Sequence, residues 1–124
     1  NAGKSYDALA ATVDVEAADA AMQVNFWATV RIVRAMMRSM MRAREGRIVF
    51  IGSVTALRGN PGNAIYAATK AALLGYTRTV AVEIARRGQV RLDELADKIR
   101  DPDLRGRFLS DVVENRALSS FADP

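Results

Sequence analysis

The segment from Arg47 to Lys70, RIVFIGSVTALRGNPGNAIYAATK, constrains the fold of this chain more than any other. It begins with Ile48, Val49, Phe50 and Ile51, consecutive apolar residues of high β propensity that end at Gly52-Ser53. A run without polar alternation suits a strand covered on both faces, as in the middle of a parallel sheet. Doubly wound sheets bind their ligands beyond the carboxyl ends of the strands, so Ser53 stands where a ligand is expected. A loop rich in Gly, Asn and Pro covers residues 54–63, and a helical pattern then runs from about Asn63 to about Arg87. Positions i and i+4 share a helix face one turn apart, so the Tyr66 phenol and the Lys70 ammonium point the same way. An ammonium favours the ionised form of a neighbouring phenol, and a general acid works best when matched to the operating pH. A strand-end hydroxyl beside such a pair is a proton-transfer arrangement. The fold expected is α/β, with strand 47–52 central, parallel to its neighbours and sandwiched by helices.

Upstream, Asp14 is placed to cap a helix from about Val15 to Arg44, with Glu16 in its first turn. Met22, Phe26, Val30, Val33, Met37 and Met40 recur at spacings of three and four, an apolar stripe of the kind that faces a core. Asn25 interrupts it, and a buried amide needs partners. Arg44-Glu45-Gly46 closes the helix, glycine being the usual residue just past a C-terminus. In helix 63–87, Ala64, Ala67, Ala68, Ala71, Ala72 and Gly75 make a small-residue face that a second helix or a ligand can approach closely. Beyond Gly88, residues 89–92 form a very short strand candidate. Residues 93–100 and 103–116 are expected as two polar helices separated at Pro102.

Ser53 followed by Tyr66-Ala67-Ala68-Thr69-Lys70 resembles the Ser…Tyr-x-x-x-Lys signature of the short-chain dehydrogenase/reductase family. Asn1-Ala2-Gly3 resembles that family's Asn-Ala-Gly turn, and Asn25, in Val24-Asn25-Phe26, its helix asparagine. GRIVFIGSV and YAATKAALLGYTRTVAVEIARRG are most similar to the 3-oxoacyl-carrier-protein reductase type. The resemblance covers residue 1 to about residue 88, one core segment of a single partial Rossmann-like domain. Residues 89–124 are a poorly matched helical tail, and its end, Arg116 to Pro124, is faintly similar to the segment after the family's substrate lid. A partial chain is the simplest account, a natural variant with this tail the other.

The resemblance implies reduction of a small-molecule carbonyl, in the nearest type a 3-oxoacyl thioester, with hydride from NADPH or NADH. Tyr66 would be the general acid, Ser53 would hydrogen-bond the carbonyl oxygen, and Lys70 would tune Tyr66 and grip the nicotinamide ribose. Asn25 would join Lys70 to solvent through a water. Asn1, Ala2 and Gly3 would lie against the cofactor with Tyr66 and Lys70. The family's Gly-rich phosphate turn, its Asn-x-x-x-Pro-Gly turn and the residue that selects NAD or NADP have no counterpart in this sequence. Helices 15–44 and 63–87 are similar to those that pair subunits in the family, which implies a homodimer or homotetramer. The alternative is a non-catalytic oligomerisation or regulatory module on the same fold.

Composition narrows the classes further. The 124 residues include no cysteine and no histidine, so a disulfide framework and a Cys or His metal site are both excluded. Any acid–base work falls to other side chains. No run approaches the ~18 apolar residues of a membrane span, so no membrane partner is expected and the cytoplasm is the default compartment. The net charge of +4 raises a nucleic-acid reading. The arginines are dispersed, however: Arg31, Arg34, Arg38 and Arg42 mark one solvated helix face, and Arg86-Arg87 would sit at the end of another helix. Aromatic residues make up only 6% of the chain, too few for a base-stacking platform. No nucleic-acid partner is expected.

Overall fold

The computed structural model describes residues 3–112 and 115–118. It divides into two compact units, residues 1–76 and 77–124. The elements in order are a 3₁₀ turn Ala10–Thr12, α1 (Val15–Met22), a π-helical turn Gln23–Trp27, α2 (Ala28–Ala43), α3 (Thr55–Arg58), α4 (Ala64–Ala96) and α5 (Pro102–Ser110).

In the first unit, Asp14 caps α1 as its position in the sequence indicates. Its Oδ1 accepts from the backbone N–H of Glu16 at 2.9 Å and of Ala17 at 3.3 Å, satisfying two of the otherwise orphaned first-turn donors. The expected helix 15–44 is helical from Val15 to Ala43, but its regular i→i+4 bonding is interrupted by the π turn around Asn25. At its C-terminus the residue in the left-handed region is Arg44, with φ 55° and ψ 28°, and not Gly46. Arg44 and Glu45 return their N–H groups to the Met40 carbonyl, so one carbonyl closes the helix. A side chain in that conformation costs about 1–2 kcal/mol relative to ordinary helical backbone. Gly46 serves another purpose: a Cβ there would lie 2.7 Å from Met40 Cγ, so the chain can fold back over Met40 only with glycine at that position.

Segment 47–52 departs from expectation. It has no regular secondary structure and joins no sheet, and no β-strand occurs among the described residues; a single parallel bridge, Ala8 to Asn63, is present. Its burial nevertheless alternates. Ile48 and Phe50 are half-buried, while Val49 and Ile51 are 80% and 63% exposed, the two-residue alternation of an extended chain. A central parallel strand needs a partner on each side, and the described residues supply neither. The α/β character of the chain is therefore carried by its likeness to known proteins, reported below.

The second unit corrects the reading of the tail. Residues 89–92 are helical, and α4 runs on to Ala96, past the expected end at Arg87. The reason lies in the spacing: Ala85, Leu92 and Ala96 are all buried, and Gln89 falls on the same stripe. Gln89 Nε2 donates to Asp93 Oδ1 at 2.9 Å, and Arg91 Nη1 to Glu94 Oε2 at 2.7 Å, pairs that require helical spacing. Arg86 and Arg87 consequently lie inside a helix and gain nothing from a C-terminal dipole. Pro102 opens α5 instead of merely separating two helices. It occupies the start of the helix behind the Asp101 cap, where its missing N–H is not needed, and α5 ends at Ser110.

Two glycines inside α4 behave differently from each other. A Cβ on Gly75 would meet nothing within 4 Å, so within the described chain this residue does not serve the close approach expected of it. At Gly88 a Cβ would lie 2.7 Å from Leu118 Cδ2, and there the missing side chain does admit a neighbour.

Candidate active site

All the described candidate residues belong to the first unit. Its packing begins with aromatic rings. Phe26, in the π turn, meets Trp27 at 5.2 Å and Tyr76 at 5.9 Å, and Tyr76 meets Phe50 at 5.9 Å, each pair edge-to-face. These contacts bring the extended segment, the π turn and the first half of α4 together. Beneath them lie Ala21, Val33 and Leu73, together with two buried polar residues, Asn25 and Thr69.

Lys70 reaches from the second turn of α4 to the end of the extended segment. Its Nζ donates to the Ile51 carbonyl at 3.0 Å, two residues before Ser53, and lies 5.9 Å from the centre of the Tyr66 ring. The expected i, i+4 pairing of Tyr66 and Lys70 is thus seen directly, at the outer limit of a cation–π contact. Ser53 is half-buried just before α3, with its Oγ 2.7 Å from Thr55 Oγ1 and accepting from the Thr55 N–H at 3.3 Å. When Thr55 is the hydroxyl donor of this pair, the Ser53 proton is left for an incoming oxygen.

Asn25 is only 3% exposed. Its Oδ1 accepts from the Lys4 N–H at 2.7 Å, and its Nδ2 donates to the Lys4 carbonyl at 2.8 Å and to Thr69 Oγ1 at 3.1 Å. Thr69 Oγ1 in turn donates to the Tyr66 carbonyl at 2.8 Å. The Asn25 carbonyl accepts from Thr29 Oγ1 at 3.3 Å. A π turn costs regular helical bonding and recurs at functional positions; here the asparagine it presents is tied to both the N-terminal segment and α4. That segment is fastened again at Ala8, whose N–H donates to Gly62 O at 2.8 Å, just ahead of α4. Gly3 sits beside the amide, where a Cβ would lie 3.9 Å from Asn25 Oδ1, an ordinary contact, so steric need does not explain glycine at that position. Asn1 and Ala2, expected against the cofactor, lie outside the described residues.

The arrangement therefore joins Tyr66 to Lys70 directly and Asn25 to their helical turn through Thr69, and it brings Lys70 to the backbone beside Ser53. Thr69 is the participant that reading the motif passed over. Its signal was available: a β-branched hydroxyl residue among alanines in mid-helix, able to bond the carbonyl three residues back.

For a nicotinamide cofactor the fit is partial. Lys70 and Tyr66 supply an ammonium and a phenol suited to ribose hydroxyls. Pyrophosphate is held by a Gly-rich turn opening a helix, but the sequence holds no G-x-G, and α1 and α5 begin at aspartates that each already take two first-turn donors. Among the described residues no group of three or more Asp or Glu could hold a metal, and no helix is long and apolar enough to cross a membrane.

The family model for short chain dehydrogenases matches residues 1–108. The chain is 41% identical over 88 residues to a 3-oxoacyl-(acyl-carrier-protein) reductase of Vibrio cholerae, a match covering 71% of the chain and 36% of the relative. It is 42% identical over 88 residues to the Escherichia coli reductase of the same name, with the same coverage. Nodulation protein G of a Rhizobium species is 40% identical over 87 residues, 70% of the chain and 36% of the relative. A solved short chain dehydrogenase/reductase family protein superimposes with a TM-score of 0.65 at 37% identity, over 67% of this chain and 35% of that one. The chain thus spans about a third of the length of the relatives it matches, and the solved neighbour supports an α/β fold of which the described residues carry the helices.

Proposed function

Because the chain belongs to the short-chain dehydrogenase family, we propose that it carries the proton-transfer half of an NAD(P)H-dependent carbonyl reductase active site. The observation that supports this reading best is the Lys70 contact set: its ammonium lies over Tyr66 and on the carbonyl of Ile51, two residues before Ser53 in the chain. When bound, the nicotinamide supplies hydride to the carbonyl carbon. Tyr66 gives its phenolic proton to the carbonyl oxygen, and Lys70 stabilises the charge left on the phenolate. Ser53 donates to the same oxygen as negative charge develops there. Asn25 has committed both Nδ2 protons to Lys4 and Thr69, and its backbone carbonyl accepts from Thr29 Oγ1, so a relay water would use the remaining lone pair of Oδ1 or share that carbonyl with Thr29. The substrate class we infer is a 3-oxoacyl thioester, from the names of the two reductases compared above. We further propose that subunits pair through α2 and the first half of α4; the exposure of Ile32, Met36 and Leu74, 59%, 48% and 38%, supports this.

A second reading keeps the pairing and drops the chemistry: a non-catalytic oligomerisation or regulatory module. The partial fit to a dinucleotide favours it. Oxidation of NADPH and NADH by the full-length protein against a panel of 3-oxoacyl thioesters separates the two. Turnover with either cofactor is expected from the reductase; a stable oligomer with no turnover and no cofactor binding overturns it.

A further inference from the structure

We propose that Thr69 is a positioning residue of this site, the link through which Asn25 fixes the helical turn carrying Tyr66 and Lys70. The inference rests on the reductase reading and extends it to a side chain that would touch neither substrate nor cofactor. Thr69 is completely buried, and its hydroxyl has two partners, Asn25 Nδ2 and the Tyr66 carbonyl. The direction of this chain of bonds is forced. The Lys4 N–H can only donate and the Lys4 carbonyl can only accept, which sets the orientation of the Asn25 amide. The second Nδ2 proton then points at Thr69 Oγ1, so Thr69 accepts from Asn25 and spends its own proton on Tyr66 O. In an α-helix the Tyr66 carbonyl closes the turn that ends at Lys70. Thr69 thus ties that turn to the π turn, and the rotation of α4 about its axis decides where the phenol and the ammonium point. Orientation errors on this scale are costly to turnover even when all reacting groups are present.

The test uses Thr69→Val, which keeps the shape and removes the hydroxyl, and Thr69→Ser, which restores it, both in the full-length protein. Thr69→Val is expected to lower kcat by about tenfold to hundredfold while the KM for cofactor moves by less than about threefold. Thr69→Ser is expected to return kcat to near its parental value. In nitrogen-15 spectra, the Asn25 side-chain amide protons should exchange slowly in the parent and in Thr69→Ser. In Thr69→Val one of them should shift and exchange faster. Parental kcat in Thr69→Val, failure of serine to rescue, or kcat lost only together with cofactor KM and thermal stability would each overturn the proposal. Should the valine variant fail to fold, fast exchange of the Asn25 amide in the parent or in Thr69→Ser overturns it equally. A parent inactive with every thioester and both cofactors defeats the reductase reading and the catalytic half of this proposal, while the Asn25 signals still decide the link itself.

Discussion

At the scale of residues, Lys70 carries more roles than any other side chain in the site. It faces Tyr66 and holds the Ile51 carbonyl, and under the proposed reading it would also meet the ribose of a bound nicotinamide. Lys70→Met keeps a flexible side chain of similar reach and removes the charge, so both cofactor affinity and turnover are expected to fall. Cofactor titration and steady-state kinetics on the same variant check this, and loss of turnover alone would mean that the ribose contact is wrongly assigned. The pairing of Tyr66 with Lys70 was legible in the sequence because helical periodicity alone puts i and i+4 on one face. Thr69 was legible only as a hydroxyl able to bond its own helix, not as a partner of Asn25. Its importance comes from Asn25, 44 positions away in sequence, and no local pattern announces a contact of that range. The Asn25 side chain is likewise engaged by groups far along the chain, the Lys4 backbone and Thr69.

Among the elements, helices were readable where capping and apolar spacing agreed, as at Asp14 and along Met22 to Met40. The strand at 47–52 was readable in composition and absent in pairing, since β structure is completed by neighbours that a segment cannot specify alone. Residues 89–92 went the other way: a short apolar run fits strand or helix, and the buried stripe through Ala85, Leu92 and Ala96 decided for helix. Gly75 gives this scale its test. With open space where its Cβ would go, Gly75→Ala lowers the entropy of the unfolded chain and improves helix propensity without a clash. Stabilisation of about 0.4–1 kcal/mol is expected, read as a shift in the urea midpoint at constant m-value. Destabilisation would show that a neighbour outside the chain occupies that face.

For the whole molecule, the exposed apolar side chains carry the consequence. Ile32 and Met36 on α2, with Leu74 on α4, are the positions at which pairing between copies is expected. Sedimentation velocity on the full-length protein should show an oligomer, and Ile32→Glu combined with Met36→Glu should shift it toward monomer; an unchanged oligomer would place the contact elsewhere. The account as a whole stands on Tyr66 as the proton donor, and Tyr66→Phe in the full-length protein tests it most directly. The phenyl ring keeps its packing, so the stability cost should be ~1 kcal/mol, the worth of one hydrogen bond, and cofactor affinity should be nearly unchanged. Turnover is expected to fall by roughly 10²–10⁴-fold, the contribution of a positioned general acid. A Tyr66→Phe protein that keeps more than about a tenth of the parental kcat, far short of that loss, would contradict the assignment.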